Sequence, residues 1–262
     1  MRRHVGSGDG AAILGSLRNS GIARVVLATG DRRSIAEALT AGYISNTFKD
    51  LIVFDWDGTL YDSTALIVGC IQAACADLGL SVPPRSEAAY VIGLGLHDAL
   101  AHVAPGLAPE RVPELGRRYR HHYFQRQHEL SLFEGTLPLL EALKARNHWL
   151  AVATGKSRQG LNEALAHVEL RGVFDGTRTA DETASKPHPQ MLQELMAEFG
   201  VEPERTLMIG DTTHDLQMAL NAGCASVGVS YGAHEPEAFH VLKPRHVAHS
   251  VQDLHDWLLQ HA

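Results

Sequence analysis

Two aspartates separated by a single tryptophan follow an apolar run in the segment LIVFDWDGTL, residues 51–60. At that separation Asp55 and Asp57 raise each other's proton affinity, so the pair costs stability unless a cation, a proton or a substrate group compensates. Because side chains alternate along a strand, both carboxylates point to the same side. The apolar run predicts a strand, and the carboxyl ends of strands are where open α/β sheets bind ligands.

A second acidic pair lies in IGDTTHDLQMA, where Asp211 ends another apolar run and Asp215 follows at the predicted start of a helix. Four carboxylates converging on one crevice would repel each other strongly in a partly dry site, so the sequence implies a divalent cation. Oxygen ligands with room for water and a phosphate favour Mg²⁺ over zinc. Asp215 alone has a second interpretation, because an acidic residue is favourable at any helix N-terminus.

Two further segments, VATGKS and SKPHPQM, supply groups that suit a phosphoryl group. Thr154, Gly155 and Ser157 form a predicted strand-to-helix turn whose hydroxyls and backbone N–H groups can hold phosphate oxygens. Lys186 precedes prolines that make its turn rigid, and it offers a positive side chain to an acidic site. Taken singly, Thr154 could merely cap its helix and Lys186 could be a solvated lysine.

The elements that must position these residues alternate between apolar runs and amphipathic helices. Such alternation is typical of a parallel sheet covered on both faces, so we predict an α/β, doubly wound, Rossmann-like core. The predicted strands span residues 51–55, 149–154, 206–211 and 225–230, and the helices after the last three span residues 157–168, 213–222 and 251–260.

Between the first acidic strand and residue 133 the pattern changes to successive helices, predicted at 64–79, 86–103 and 109–129. An insert at this position lies above the ligand crevice of an open sheet. We therefore predict an all-helical cap domain over residues 64–133 and a core domain made of residues 49–63 and 134–262. Gly93 and Gly95 interrupt the middle helix, either to let the backbone approach a substrate or simply to separate two helices.

The first 48 residues are predicted to be an N-terminal extension with one strand-helix unit, at 23–28 and 34–39. Residues 17–39 and residues 143–165 share the same predicted order of strand, turn and helix. This match is weak evidence for a duplication, because such units converge easily. The extension could be an extra edge unit, a fusion remnant or the result of a poorly chosen start. No second active site is expected in it.

Composition excludes several classes of protein. The 262 residues are 45% hydrophobic and 20% charged, which is typical of a globular protein, and no apolar run approaches the roughly 20 residues of a membrane span. We predict a cytoplasmic protein, without a secretory signal and without membrane partners. The net charge of −7 argues against a nucleic-acid partner. The three cysteines form no CxxC motif, and most of the 16 histidines, including His214, are predicted to lie at the surface.

Four segments together resemble a known family. FDWDGTL, VATGKS, SKPHP and GDTTHD match, in order, the four motifs of the haloacid dehalogenase-like hydrolase superfamily. The resemblance covers about residues 50–260 and is strongest to the phosphoglycolate phosphatase-like branch, which carries a helical cap after the first motif. Each motif is short, but four in order, each at a predicted strand end or rigid turn, are not expected by chance.

The resemblance implies a role for each acidic residue. Asp55 resembles the nucleophile that attacks phosphorus and forms an aspartyl-phosphate, and Asp57 resembles the acid/base that protonates the leaving alkoxide and then activates water. The Asp55 carboxylate, the Asp57 backbone carbonyl and Asp211 would bind Mg²⁺, with Asp215 supporting it directly or through water. Dehalogenases of the family lack an aspartate at the position of Asp57, which argues against dehalogenation.

The remaining motif residues, Thr154, Gly155 and Lys186, would hold the phosphoryl oxygens and neutralise their charge. The resemblance thus implies a Mg²⁺-dependent phosphatase acting on a small phosphorylated metabolite, with phosphoglycolate as the first candidate, as a monomer or homodimer. A sugar phosphomutase or a pyrophosphatase of the same superfamily stays open. So does a non-catalytic protein that binds a phosphorylated ligand.

Overall fold

The computed structural model describes residues 50–166 and 170–262. The strand and helix predicted at 23–28 and 34–39 lie outside the described residues. Within the described part of the chain, helices and strands alternate after an initial strand and a helical insert.

A six-stranded parallel sheet forms the centre of the described chain, with the strand order 3-2-1-4-5-6. This order reverses beside β1, and ligands of doubly wound folds bind at such a switch point. The strands are β1 (Leu51–Phe54), β2 (Trp149–Thr154), β3 (Gly176–Thr179), β4 (Thr206–Gly210), β5 (Ala225–Val229) and β6 (Val247–Ala248).

The helical insert lies between β1 and β2 and packs around its own apolar cluster, which includes Ile71, Leu100 and Leu115. Each of these three side chains is at most 2% exposed. The insert contains α1 (Thr64–Asp77), α2 (Arg85–Tyr90), α3 (Leu96–Val103) and α4 (Val112–Arg126), and short 3-10 turns at Pro109–Arg111 and Gln127–Glu129 flank α4.

Within the described ranges, five further helices cover the two faces of the sheet. On β1, Ile52 and Phe54 belong to one apolar cluster, whereas Leu51 and Val53 belong to another, as the alternation of side chains along a strand requires. The helices are α5 (Thr136–Ala145), α6 (Arg158–Leu165), α7 (Gln190–Phe199), α8 (Thr213–Asn221) and α9 (Val251–His261). Helices α5 and α9 contribute to the first cluster, and α7 and α8 to the second.

These elements confirm the predicted α/β doubly wound core. The four predicted strands are present, each within one residue of its predicted end. Strands β3 and β6 and helices α5 and α7 were not predicted. Strand β3 has the sequence GTRT and β6 has two residues, so neither carries the apolar run that marks the central strands.

Candidate active site

The carboxyl ends of three neighbouring strands converge at one edge of the sheet. Asp55 follows β1, Asp211 follows β4, and Thr154 ends β2, and β1 pairs in parallel with both neighbours. The first two are fully buried and Thr154 is 1% exposed. The fold therefore brings together residues that are between 57 and 156 positions apart in the chain.

Three aspartates form a cluster that could hold a divalent cation. One carboxylate oxygen from each of Asp55, Asp211 and Asp215 lies within 4.8 Å of the others. All three residues are 0% exposed. Hard oxygen donors at this density suit Mg²⁺ or a similar ion. The carboxylate of Asp57 is not a member of this cluster.

The charge balance of the cluster shows why a cation fits. Burial raises the pKa of Asp55 to about 7, against the opposing attraction of Lys186 and with a further increase from Asp215. Burial, followed by repulsion from Asp55 and Asp215, raises the pKa of Asp211 well above its usual range. In both residues the charged form of the carboxylate is therefore penalised. A cation bound among them would remove that penalty.

Lys186 lies at the centre of the site and is 2% exposed. Its Nζ is 2.6 Å from Asp55 Oδ1 and 2.7 Å from Asp215 Oδ1. Burial lowers the pKa of Lys186, but the two carboxylates outweigh it and bring the pKa above the usual lysine value. Lys186 is therefore a buried ammonium and not the solvated lysine that its local sequence alone suggests.

Asp55 has two inequivalent carboxylate oxygens. Oδ1 accepts a hydrogen bond from Lys186 at 2.6 Å, while Oδ2 is buried and has no hydrogen-bond partner among the described residues. A buried polar atom without a partner in the folded chain is a place where water, an ion or a ligand can bind. One oxygen is thus fixed while the other remains available to an electrophile or a cation.

Asp215 combines the two roles that its sequence position allowed. It lies in the first turn of α8, where its Oδ2 accepts hydrogen bonds from the Thr212 backbone N–H and hydroxyl, and the Thr212 hydroxyl in turn accepts from the Asp215 N–H. This reciprocal capping stabilises the helix start. The other oxygen, Oδ1, faces Lys186 and the aspartate cluster.

Asp211 is held by donors from two loops. Its Oδ1 accepts from the Thr59 hydroxyl at 3.0 Å, and its Oδ2 accepts from the Ala233 N–H at 2.7 Å. Gly58 lies against the same carboxylate with a φ of +85°, and a Cβ there would overlap Asp211 and approach Thr64. Position 58 therefore requires glycine, because its backbone angle is unfavourable for other residues and because a side chain there would overlap the second acidic motif.

Asp57 lies beside the cluster and is held by different partners. Its Oδ1 accepts from the Ser63 hydroxyl at 2.7 Å, and its Oδ2 is 3.1 Å from Lys156 Nζ. The same Nζ donates to the Tyr123 hydroxyl at 3.0 Å and lies 4.9 Å from the centre of the Tyr123 ring. Asp57 is thus connected to the helical insert through Lys156.

Lys156 also lies in the site, although the sequence alone did not indicate a role for it. Burial lowers its pKa, but Asp57 and Tyr123 outweigh that effect and raise it above the usual value. The available signal was its position, between Gly155 and Ser157 in a turn at the carboxyl edge of the sheet. The hydroxyl of Thr154 accepts the Lys156 backbone N–H at 3.1 Å, and Ser157 caps α6.

The turn after β2 also contacts the helical insert directly. A Cβ on Gly155 would lie 2.6 Å from the Gly93 carbonyl oxygen and closer still to that of Leu94. Beside it, the Gly95 N–H donates to Ser185 Oγ at 2.8 Å. Gly93 and Gly95 do separate two helices, as one interpretation predicted, and they allow a close approach to the core. Their approach to a substrate stays a prediction.

The prediction of a surface position for His214 is wrong. His214 is 7% and His234 is 8% exposed, and the Nε2 atoms of both donate to the Tyr90 carbonyl, at 2.7 Å and 3.0 Å. The Thr213 N–H donates to His234 Nδ1, which fixes the neutral tautomer. Burial lowers the pKa of both histidines. They connect the core to α2 of the insert.

A cleft of about 620 Å³ lies between the strand ends and the helical insert. Asp55, Asp57, Thr154 and Lys156 line its core side. Its volume is within the range of about 300–1,000 Å³ that is typical of sites for small organic ligands. Acidic groups, buried cations and a cleft of this size together form an arrangement suited to nucleophilic and acid–base chemistry on a phosphorylated compound.

Comparison with known proteins assigns the family. The family model described as haloacid dehalogenase-like hydrolase matches residues 52–229. The chain belongs to this family. The predicted assignment to these hydrolases is confirmed, and the chain is an enzyme of the hydrolase class.

Two curated relatives of this hydrolase carry phosphatase names. A Dickeya dadantii (strain 3937) protein named Probable phosphatase IndB is 35% identical over 202 residues, covering 75% of this chain and 88% of the relative. A phosphoglycolate phosphatase from Aliivibrio fischeri is 32% identical over 201 residues, covering 72% and 88%. The predicted phosphatase class agrees with both names.

A solved hydrolase structure from Pseudomonas syringae shares the fold, with a TM-score of 0.75 at 22% identity. The match covers 82% of this chain and 100% of that one. Among the described residues, no helix of this haloacid dehalogenase-like hydrolase combines the length and the apolar character needed to cross a membrane.

Proposed function

We propose that this haloacid dehalogenase-like hydrolase is a Mg²⁺-dependent phosphatase that hydrolyses a small phosphorylated metabolite through an aspartyl-phosphate on Asp55. The observation that carries the proposal is the asymmetry of the Asp55 carboxylate. Lys186 holds Oδ1, and the buried Oδ2 lacks a hydrogen-bond partner within the described ranges. A fixed carboxylate with one open oxygen at the bottom of a cleft is the arrangement that a nucleophile requires.

The proposed reaction has two displacements at phosphorus. Asp55 Oδ2 forms a bond to phosphorus while the bond to the leaving alkoxide oxygen breaks, and Asp57 donates its proton to that oxygen. Asp57, now a carboxylate, accepts a proton from water as the water oxygen attacks phosphorus. The acyl-phosphate bond then breaks, which regenerates Asp55 and releases inorganic phosphate.

The surrounding groups would stabilise the charge that is transferred. Lys186 lies 2.6 Å from Asp55 Oδ1, and Thr154 and Gly155 line the cleft, so these three residues would hold the phosphoryl oxygens. The metal would be held by the carboxylates of Asp55, Asp211 and Asp215, with the Asp57 carbonyl as a further ligand. When bound there, Mg²⁺ would neutralise these carboxylates and the charge that develops on the phosphoryl group.

We propose further that residues 64–133 act as a cap domain over a core formed by residues 49–63 and 134–262. The direct contact of the insert with the turn at Gly155, and its link to Asp57 through Lys156, support this division. Phosphoglycolate is the candidate substrate that one relative's name suggests. A cytoplasmic location and a monomeric or dimeric state stay predictions.

The test is phosphate release from a panel that contains phosphoglycolate, sugar phosphates, nucleoside monophosphates and pyrophosphate, in Mg²⁺ and in EDTA. The proposal requires metal-dependent release that Asp55→Asn abolishes. Asp62→Asn is the matched control, because Asp62 lies seven positions further along the chain and is exposed. Release that survives in EDTA, or in Asp55→Asn, would contradict the proposed chemistry.

A further inference from the structure

The wall of the cleft that faces the aspartates is built from the helical insert and is largely apolar. Side chains from three of its helices and from the loop before α3 line this wall, and they include Ile71, Leu94, Leu96, Tyr119 and Phe124. The rings of Tyr119 and Tyr123 stack at 6.0 Å. The cleft therefore has one polar end, at the carboxylates, and one apolar end.

Few charges face the cleft from the insert. Among the described lining residues, Lys156 and Arg120 are the permanent cations. Lys156 is already paired with Asp57, and Arg120 is exposed on α4. Asp98 and His97 lie 3.6 Å apart in an exposed pair. Phosphoglycolate carries a carboxylate in addition to its phosphate group, and among the described residues of this wall only Arg120, at its exposed edge, is a permanent cation that could pair with that carboxylate.

Phe124 adds an independent indication. It lines the cleft, yet it is 46% exposed, which places it among the large apolar side chains that the fold leaves open to solvent. An exposed aromatic ring at a binding cleft gains free energy when a ligand covers it. Phosphoglycolate and pyrophosphate are too small to fill a cleft of about 620 Å³.

From these three features we infer the substrate class, an inference that rests on the proposed function. The substrate is a phosphomonoester whose leaving alcohol carries a bulky, uncharged and mainly apolar or aromatic body. The phosphoryl group binds at Asp55, and the body of the alcohol lies along the wall from Leu94 to Phe124. This class replaces phosphoglycolate, the candidate that a relative's name suggests, and it predicts that phosphoglycolate and pyrophosphate are poor substrates of the same site.

The test uses primary alkyl phosphates, because their leaving oxygens are alike and only the apolar body changes. The series is ethyl, butyl, hexyl and 2-phenylethyl phosphate, with phosphoglycolate and pyrophosphate for comparison, all in Mg²⁺. Burying one methylene is expected to raise kcat/KM by about fourfold. From ethyl to butyl phosphate we therefore expect an increase of at least tenfold, with 2-phenylethyl phosphate well above phosphoglycolate.

A variant pair connects this preference to the wall. Phe124→Ala removes a partly exposed ring, and we expect it to reduce the ratio of kcat/KM for 2-phenylethyl over ethyl phosphate by about tenfold, mainly through KM. Val241→Ala is the matched control, because Val241 is 79% exposed and does not line the cleft. It should leave that ratio as it is in the unmodified protein.

The outcomes separate this inference from the proposed function. Metal-dependent turnover with equal kcat/KM across the alkyl phosphates, or with a preference for phosphoglycolate or pyrophosphate, overturns the substrate class. Either result still supports the proposed phosphatase function. A rising series that Phe124→Ala does not alter overturns the placement of the alcohol. No metal-dependent release from any monoester overturns the proposed function, and the substrate class with it.

Discussion

Gly155→Ala adds one methyl group at the contact between the turn after β2 and the helical insert. The added Cβ would lie 2.6 Å from the Gly93 carbonyl oxygen, whereas an ordinary contact begins at 3.4 Å, a shortfall of about 0.8 Å. The Leu94 carbonyl is closer still. Both neighbours are backbone atoms, so no side chain can rotate away, and the turn or the insert must shift by roughly 1 Å.

The displacement acts on the reaction geometry more than on folding. A misplacement of about 1 Å in a catalytic site costs on the order of 100-fold in rate. We therefore expect kcat/KM to fall by roughly that factor on the best substrate of the panel. Overpacking at the contact is expected to lower the free energy of unfolding by about 1–3 kcal/mol. The protein should remain folded at 25 °C.

The assay is steady-state phosphate release, with urea denaturation as the measure of folding. Gly69→Ala is the matched control, because a Cβ there would meet nothing within 4 Å outside its own helix backbone and Gly69 does not line the cleft. Gly69 lies within α1, so alanine should raise stability by up to about 1 kcal/mol and retain activity. A Gly155→Ala enzyme with unchanged kcat/KM would refute the proposed contact between insert and turn.

Three more predictions concern the charged cluster. Lys186→Met leaves two buried carboxylates without their cation, so the free energy of unfolding, measured in urea and EDTA, should fall by about 3–5 kcal/mol. Mg²⁺ should recover part of that loss. Arg126→Met, at an exposed position, should change the free energy of unfolding little. Burial raises the pKa of Asp55 from 3.8 to about 7, so the folded protein binds a proton at Asp55 more tightly than the unfolded protein does. Proton binding therefore stabilises the folded state at low pH, and in EDTA this contribution should be lost as the pH rises from about 4 to 7. Asp55→Asn should flatten that part of the urea-derived stability curve, and an unchanged slope would contradict the shift. Gly58→Ala, at a φ of +85° against Asp211, should weaken Mg²⁺ binding by calorimetric titration, and equal affinity would argue against Asp211 as a ligand.

The sequence predicted the parts of the site that lie at the ends of apolar strands. An apolar run that is buried on both faces precedes or contains each of Asp55, Thr154 and Asp211. Such runs can be recognised in a sequence because both faces of a parallel sheet are covered, so its strands are apolar throughout. Parallel pairing then requires their carboxyl ends to meet at one edge. The short strand β3, with sequence GTRT at the sheet's edge, has no such run and was missed.

Contacts between the core and the helical insert could not be predicted in the same way. Lys156 donates to the Tyr123 hydroxyl 33 positions away, and His214 donates to the Tyr90 carbonyl 124 positions away. No periodicity links such residues, because their meeting depends on how the insert packs over the sheet. From the sequence alone, a lysine or histidine at such a position is therefore predicted to be exposed to solvent, because the surface that packs against it is not known.

The most direct test of the account is to trap the phosphoryl group on Asp55. Borohydride reduces an acyl-phosphate to an alcohol, so quenching the enzyme during turnover should convert Asp55 to homoserine, which peptide mass spectrometry detects. We predict this conversion in the peptide that contains residues 51–60, dependent on both substrate and Mg²⁺. Turnover with no modification at Asp55, or with the modification on another residue, would contradict its role as the nucleophile.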